Sequence, residues 1–321
     1  MKLFLKNLGI QIIIILISLF LMEFILRIIN SDMNNYDIEM WRYAKELKMQ
    51  DKDLGHIHQK NKSAILQNVE INLNSDGMRS FEKDKRNKIL FIGSSISLGW
   101  GLEFKKTYPQ LIQTKLDNDS ISYQVLNGSV GNHNTFRYVN NFLENQKDIS
   151  PKWLIINYFI NDAEILNNKS SSWILKNSQL ASTIYITLRK LLSKSEFDLK
   201  LYYKDLYEKD SKGLKEVKKS LLKLSEYSKT KNIKVLLTVI PDIHFLEDYP
   251  FTKIHDDLGI FTKNLGFEFY DLLKTFEGIP FKKLQIIKGD SHPNEFGHKL
   301  ISDSLYYKMK RSGLKNYSDL N

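Results

Sequence analysis

The chain has 321 residues, 42% of them hydrophobic, enough to bury a core in one large domain or two small ones, which excludes disorder as the default reading. Its formal net charge is +10, yet the lysines are scattered through a Lys-, Asn- and Ile-rich sequence with no arginine stripe among aromatics, so nucleic acid is not expected as a partner. The absence of cysteine removes disulfides, thiolate zinc sites and cysteine nucleophiles together.

Residues 8–29, LGIQIIIILISLFLMEFILRII, are long enough as a helix to cross about 30 Å of hydrocarbon. No small-x-small site follows the apolar run, so an uncleaved anchor is expected rather than a signal peptide. Glu23 and Arg27, at i and i+4, are placed to pair near its far end. Lys2 and Lys6 favour an N-terminus inside, with the rest of the chain outside the cytoplasm, although Arg42, Lys45 and Lys48 oppose this. The chain therefore divides into an anchor (1–30), an extracytoplasmic linker (31–86) and a main domain (87–321). In the linker, VEINLN (69–74) followed by Ser75-Asp76-Gly77 predicts a β-ribbon closed at Asp-Gly. No catalytic chemistry is visible there.

After Lys88, short β-rich runs at 89–92, 123–126, 153–157, 235–240 and 267–270 alternate with helical patterns at 108–116, 135–145, 213–229, 251–265 and 295–309. That alternation predicts an α/β fold: a three-layer α/β/α sandwich around a mostly parallel five-stranded sheet. Residues 163–210 interrupt the rhythm, as an insertion or lid over the site or as a peripheral helical excursion. The lysines between 212 and 223 fall at helical spacing and read as a solvated face.

In a parallel sheet, ligands bind at the carboxyl ends of the strands. The first strand runs into Gly93-Ser94-Ser95-Ile96-Ser97, a turn that can expose a hydroxyl beside backbone N–H groups, with helix capping by Ser94 or Ser97 as the alternative. The second leads into Gly128-Ser129-Val130-Gly131, whose glycines permit close backbone approach. The third ends at Asn161, whose amide can donate toward the same point. The most specific segment is Asp290-Ser291-His292-Pro293: a catalytic base needs a third group to orient it, and Asp290 stands two residues from His292 on a proline-stiffened turn. His298 is expected on a helix surface, and His56, His58, His244 and His255 have no supporting context. A zinc site from His292, His298 and Asp290 suits no familiar ligand spacing.

In order along residues 88–321, these segments resemble the four blocks of the SGNH, or GDSL-type, hydrolase superfamily, whose fold is flavodoxin-like. The resemblance implies that FIGSSISLGWGL carries the nucleophile at Ser95, that Ser95, Gly131 and Asn161 form an oxyanion hole, and that His292 is the general base. It implies no cofactor and no metal. Three positions depart from the family pattern. Ser94 replaces an aspartate, Phe159 replaces a glycine, and the acid at Asp290 lies two residues before His292 rather than three, which leaves open a Ser-His dyad. Anchored relatives imply a serine esterase or O-acyltransferase of the cell envelope, acting on small acyl esters, acetyl above all, of cell-wall or exported glycans beside a membrane-bound O-acyltransferase. A lipid esterase or lysophospholipase and an inactive glycan-binding module are the alternatives.

Overall fold

A computed structural model describes residues 2–168, 172–192 and 198–315. The N-terminal run is one helix, α1 (Lys2–Ile29), and the segment Phe4–Asp32 is long and apolar enough to cross a membrane. Helix α2 (Tyr36–Glu46) begins at Asn35, whose side chain accepts from the Ile38 N–H. Two antiparallel hairpins follow, β1 (Lys48–Asp51) with β2 (Gly55–His58) and β3 (Ser63–Leu66) with β4 (Val69–Asn72). The second is not closed by Asp-Gly. Its turn is Gln67–Asn68, with φ of 50° and 61°, as the type I′ hairpin requires, and Asp76-Gly77 makes a separate turn beyond β4.

The main sheet comprises β5 (Asn87–Gly93), β6 (Tyr123–Asn127), β7 (Trp153–Phe159), β8 (Lys234–Ile240) and β9 (Glu268–Asp271). All neighbours run parallel, in the order β6-β5-β7-β8-β9. The intervening helices are α3 (Ser95–Leu98), α4 (Tyr108–Asn118), α5 (Thr135–Asn141), α6 (Trp173–Asn177), α7 (Gln179–Leu192), α8 (Leu199–Leu206), α9 (Lys212–Thr230), α10 (Thr252–Asn264) and α11 (Glu295–Arg311). Because side chains alternate along a strand, Ile89 and Phe91 pack with Ile112, Leu116, Ile301 and Leu305 of α4 and α11. Leu90 and Ile92 pack on the other face with Val139, Leu221 and Leu224 of α5 and α9. Both faces are covered, which is why these strands read as continuous apolar runs. The chain order reverses between β5 and β7, so the carboxyl ends of those two strands border the natural crevice of the sheet.

The interruption at 163–210 divides its roles. Glu164, Leu166 and Tyr203 line that crevice, whereas α7 packs on α1 and α2, and α6 is tied to them through the Asn177 and Leu175 carbonyls. The Glu23 carboxylate accepts from Ser178 Oγ at 2.9 Å and from the N–H groups of Gln179 and Leu180 at 3.0 and 2.8 Å. The Trp41 indole donates to the Leu175 carbonyl at 2.6 Å.

Candidate active site

Gly93 ends β5 where a Cβ would stand 2.6 Å from Ser97 Oγ and 3.1 Å from the Asn157 carbonyl, so only glycine fits the turn. Ser94 is extended, and Ser95 opens α3, a single turn that Gly99 ends at φ 80°. From the interior, the buried Arg79 guanidinium donates to the carbonyls of Leu98, Gly99 and Leu102 at 3.0, 2.7 and 2.6 Å, which fixes the exit of this loop. Burial lowers the Arg79 pKa to about 10, with no carboxylate partner among the described residues.

The loop before α11 brings the other half of the site. Asn294 caps α11 by accepting from the Gly297 N–H, and Ile286 N–H donates to the His292 carbonyl at 3.0 Å. His292 Nδ1 lies 2.7 Å from Asp290 Oδ1, which also accepts the His292 backbone N–H at 3.1 Å. A carboxylate oxygen only accepts, so Nδ1 carries the proton and the neutral ring presents a bare Nε2. That nitrogen is 2.7 Å from Ser95 Oγ. Ser95, His292 and Asp290, separated by up to 197 positions, thus form one unbroken relay. His244 braces the same loop, with Nδ1 2.7 Å from Asp242 Oδ1 and Nε2 3.2 Å from the Gly289 carbonyl. Both partners are acceptors, and the hydrogen bond to Asp242 raises the His244 pKa.

Asn161, in the turn after β7, lines the crevice, and its side-chain amide makes no hydrogen bond among the described residues. Beneath it Asp162 is buried, accepting from Tyr138 Oη at 2.6 Å and Thr135 Oγ1 at 3.2 Å, and burial pushes its pKa up to about 7. Gly131 departs from expectation. Its N–H donates to the buried Tyr43 hydroxyl at 2.8 Å, and the residue does not line the crevice. Tyr43 Oη in turn meets His58 Nε2 at 2.7 Å, while His58 Nδ1 reaches the Gly77 carbonyl at 3.1 Å. The Gly77 carbonyl must accept, so His58 Nε2 accepts from Tyr43, whose oxygen receives the Gly131 N–H. Lys48 Nζ and His56 Nε2 donate to the Gly131 carbonyl at 2.7 and 3.1 Å. Its neighbour Asn132 lines the crevice instead, at φ 64°, in a turn closed by His133 N–H to the Val130 carbonyl at 3.1 Å.

The linker is therefore part of the site, contrary to the reading that no chemistry lies there. Tyr36 and Met40 of α2 line the crevice together with Phe159, and the Tyr36 ring stands 6.3 Å from that of His292. His56 and His58 support the Gly131 loop, and His255 is held between Asp271 Oδ2 and Tyr249 Oη at 2.9 Å each. His298 is buried, not on a helix surface, and its Nδ1 accepts the Tyr108 N–H at 3.0 Å. Burial lowers the pKa of both His58 and His298 to about 3. Sequence pattern misses such roles, because a histidine bonded to a distant backbone carbonyl leaves no local signal. The crevice encloses about 160 Å³. A larger cavity of about 440 Å³, lined by Leu214, Val217 and Phe261 among others, shares no lining residue with the crevice.

No described protein family and no curated protein matches the sequence. Among solved structures, the chain is similar to TesA, at 15% identity over 70% of this chain and 99% of that one with a TM-score of 0.47. It is also similar to the psychrotrophic esterase EstA from Pseudoalteromonas sp., at 16% identity over 70% and 97% with a TM-score of 0.44. A catalytic mutant of the acetylxylan esterase Axe2 from Geobacillus stearothermophilus matches at 19% identity over 70% and 94%, with a TM-score of 0.45. Likeness at this level assigns no activity to the chain.

Proposed function

We propose that this chain is an SGNH-type serine hydrolase, an esterase or O-acyltransferase for short acyl esters, tethered by α1 with its α/β domain outside the cytoplasm. The observation that carries the reading is the continuous hydrogen-bonded path from Asp290 through His292 to Ser95. In this mechanism His292 Nε2 takes the hydroxyl proton as Ser95 Oγ bonds to the ester carbonyl carbon, because an unaided serine is a weak nucleophile. Asp290 holds the ring and stabilises the imidazolium. Collapse of the tetrahedral adduct breaks the bond to the alcohol, which leaves with the proton from His292. Water, or a sugar hydroxyl in the transfer variant, then attacks the acyl-serine with His292 again as base. The Ser95 N–H and the Asn161 amide stabilise the oxyanion, each donor typically worth about 3 kcal/mol of barrier. A third donor is the Asn132 N–H, which points opposite to the Gly131 carbonyl across their trans peptide and takes the role first expected of Gly131.

The small crevice, narrowed by Phe159, Ile96 and Tyr203, favours acetyl over long acyl chains. Together with a membrane tether this supports an acetylated envelope glycan as substrate, with a membrane-bound O-acyltransferase as the partner in the transfer variant. The test combines a fluorophosphonate probe with p-nitrophenyl esters. The wild type labels at Ser95 and prefers acetate, and Ser95→Ala loses labelling and at least about 10⁴-fold of turnover. Preference for long-chain esters would instead make it a lipid esterase, and an unlabelled wild type would leave only a binding module.

A further inference from the structure

The α6–α7 hairpin has its polarity reversed. In α7, Gln179 and Ser182 are the residues buried against the protein, at 4% and 3% exposure. Ile184, Leu188, Leu191 and Leu192, at i, i+4, i+7 and i+8, point outward with exposures from 49% to 77%. Trp173 and Ile174 at the start of α6 are likewise exposed, at 77% and 60%. Such a helix turns its apolar face to the wrong side for water and to the right side for lipid.

Its position specifies which medium it meets. The first N–H groups of α7 are capped by Glu23, a residue of α1 six positions before the end of that helix, about 9 Å along its axis. Arg27 Nη2 reaches the Asn177 carbonyl at 3.4 Å, so the turn between α6 and α7 is fastened to the same stretch of α1. The start of α7, from which its apolar face runs, is thereby held beside the last turns of α1. We propose that α6 and α7 form a bilayer-seated element, with the outward face of α7 sunk into the leaflet through which α1 emerges, as amphipathic helices lie at an interface with Trp and Leu downward. This rests on the reading of α1 as a membrane anchor. The hairpin gives the tether a second point of attachment, and its contacts with α2 carry that attachment to the helix that supplies Tyr36 and Met40 to the crevice.

The chain lacks cysteine, so single nitroxide labels are placed cleanly. The full chain is reconstituted in phosphatidylcholine vesicles as Ile15→Cys, Leu188→Cys, Leu191→Cys and, on the exposed face of α9, Lys219→Cys. Relaxation by oxygen is compared with relaxation by a water-soluble nickel chelate. The expected result is an oxygen-to-nickel accessibility ratio several-fold higher at 15, 188 and 191 than at 219. A lipid-like ratio at 15 with water-like ratios at 188 and 191 would overturn this inference alone. Labels at 188 and 191 shielded from both reagents would mean that protein covers the face, and would overturn it too. A water-like ratio at 15 would remove the anchor reading and this inference with it.

Discussion

A single carboxylate oxygen sets the orientation of the His292 ring. Asp290 Oδ1 receives both the ring N–H and the backbone N–H of His292, which fixes ring, tautomer and loop together. The two-residue spacing departs from the more usual three, and the sequence left open whether a carboxylate or only a backbone carbonyl would stand behind His292. The geometry favours the carboxylate, because the tight turn that brings Asp290 Oδ1 to the His292 backbone also brings it to Nδ1. Asp290→Asn keeps the shape but can present an amide N–H to Nδ1, which favours the wrong tautomer. Its p-nitrophenyl acetate kcat is expected to fall by about 10³- to 10⁴-fold, with an unchanged circular dichroism spectrum. A fall of less than about tenfold would point to a dyad. Ser95, Asn161 and His292 were legible because each stands at a strand end or on a stiffened turn. Arg79, Tyr43 and Lys48 were not, since their partners are backbone groups of loops remote in sequence.

Elements were legible in proportion to how completely they are buried. The strands of the main sheet match the apolar runs to within one or two residues, because burial on both faces leaves no polar alternation to confuse them. The hairpins β1–β2 and β3–β4 are four-residue strands with mixed faces, and the dipeptide Asp-Gly misdirected the closing turn of the second. Helix α9 shows how packing reaches the chemistry. Gly213, in its first turn, lies so close to the Ala163 carbonyl that an added Cβ would stand 1.6 Å from it. Ala163 closes the 3₁₀ turn that carries Asn161. Gly213→Ala is therefore expected to cost about 1–3 kcal/mol of stability, as overpacking does, and to lower kcat by displacing Asn161. Urea unfolding and esterase kinetics on the same preparation check both effects, and an unaltered midpoint would show that the helix start yields freely.

At the scale of the whole molecule, buried imidazoles set the response to acid. Burial holds His58 and His298 down to about 3 and also depresses His56 and His133, while the unfolded value is near 6.5. A depressed folded pKa contributes stability that is complete above the unfolded value and is lost as pH falls toward the folded one. His58 and His298 thus each cost about 2 kcal/mol by pH 5, and His56 and His133 act in the same direction. Asp162, raised to about 7, acts in the opposite sense, since its contribution is full below the unfolded carboxylate range and lost as pH climbs through 7. On acidification from pH 7 to 5 it regains about 2 kcal/mol, which offsets one histidine of the four. The urea midpoint of the full chain in detergent should accordingly drop between pH 7 and pH 5. A midpoint that holds or rises would mean that these rings are hydrated. The fold class was readable from strand and helix alternation, whereas the fusion of linker and domain was not, because it depends on which side chains a loop meets after folding.

That fusion has a consequence for where the chain tolerates being cut. Cleavage just after α1 would release a particle that retains both walls of its crevice. Cleavage a few residues later, past Tyr36 and Met40, would free a sheet that still aligns its serine and histidine but opens them on one side to solvent. Under the anchoring proposed above, the stretch between Asn30 and Asn35 thus separates cuts that leave Tyr36 and Met40 on the crevice from cuts that remove them.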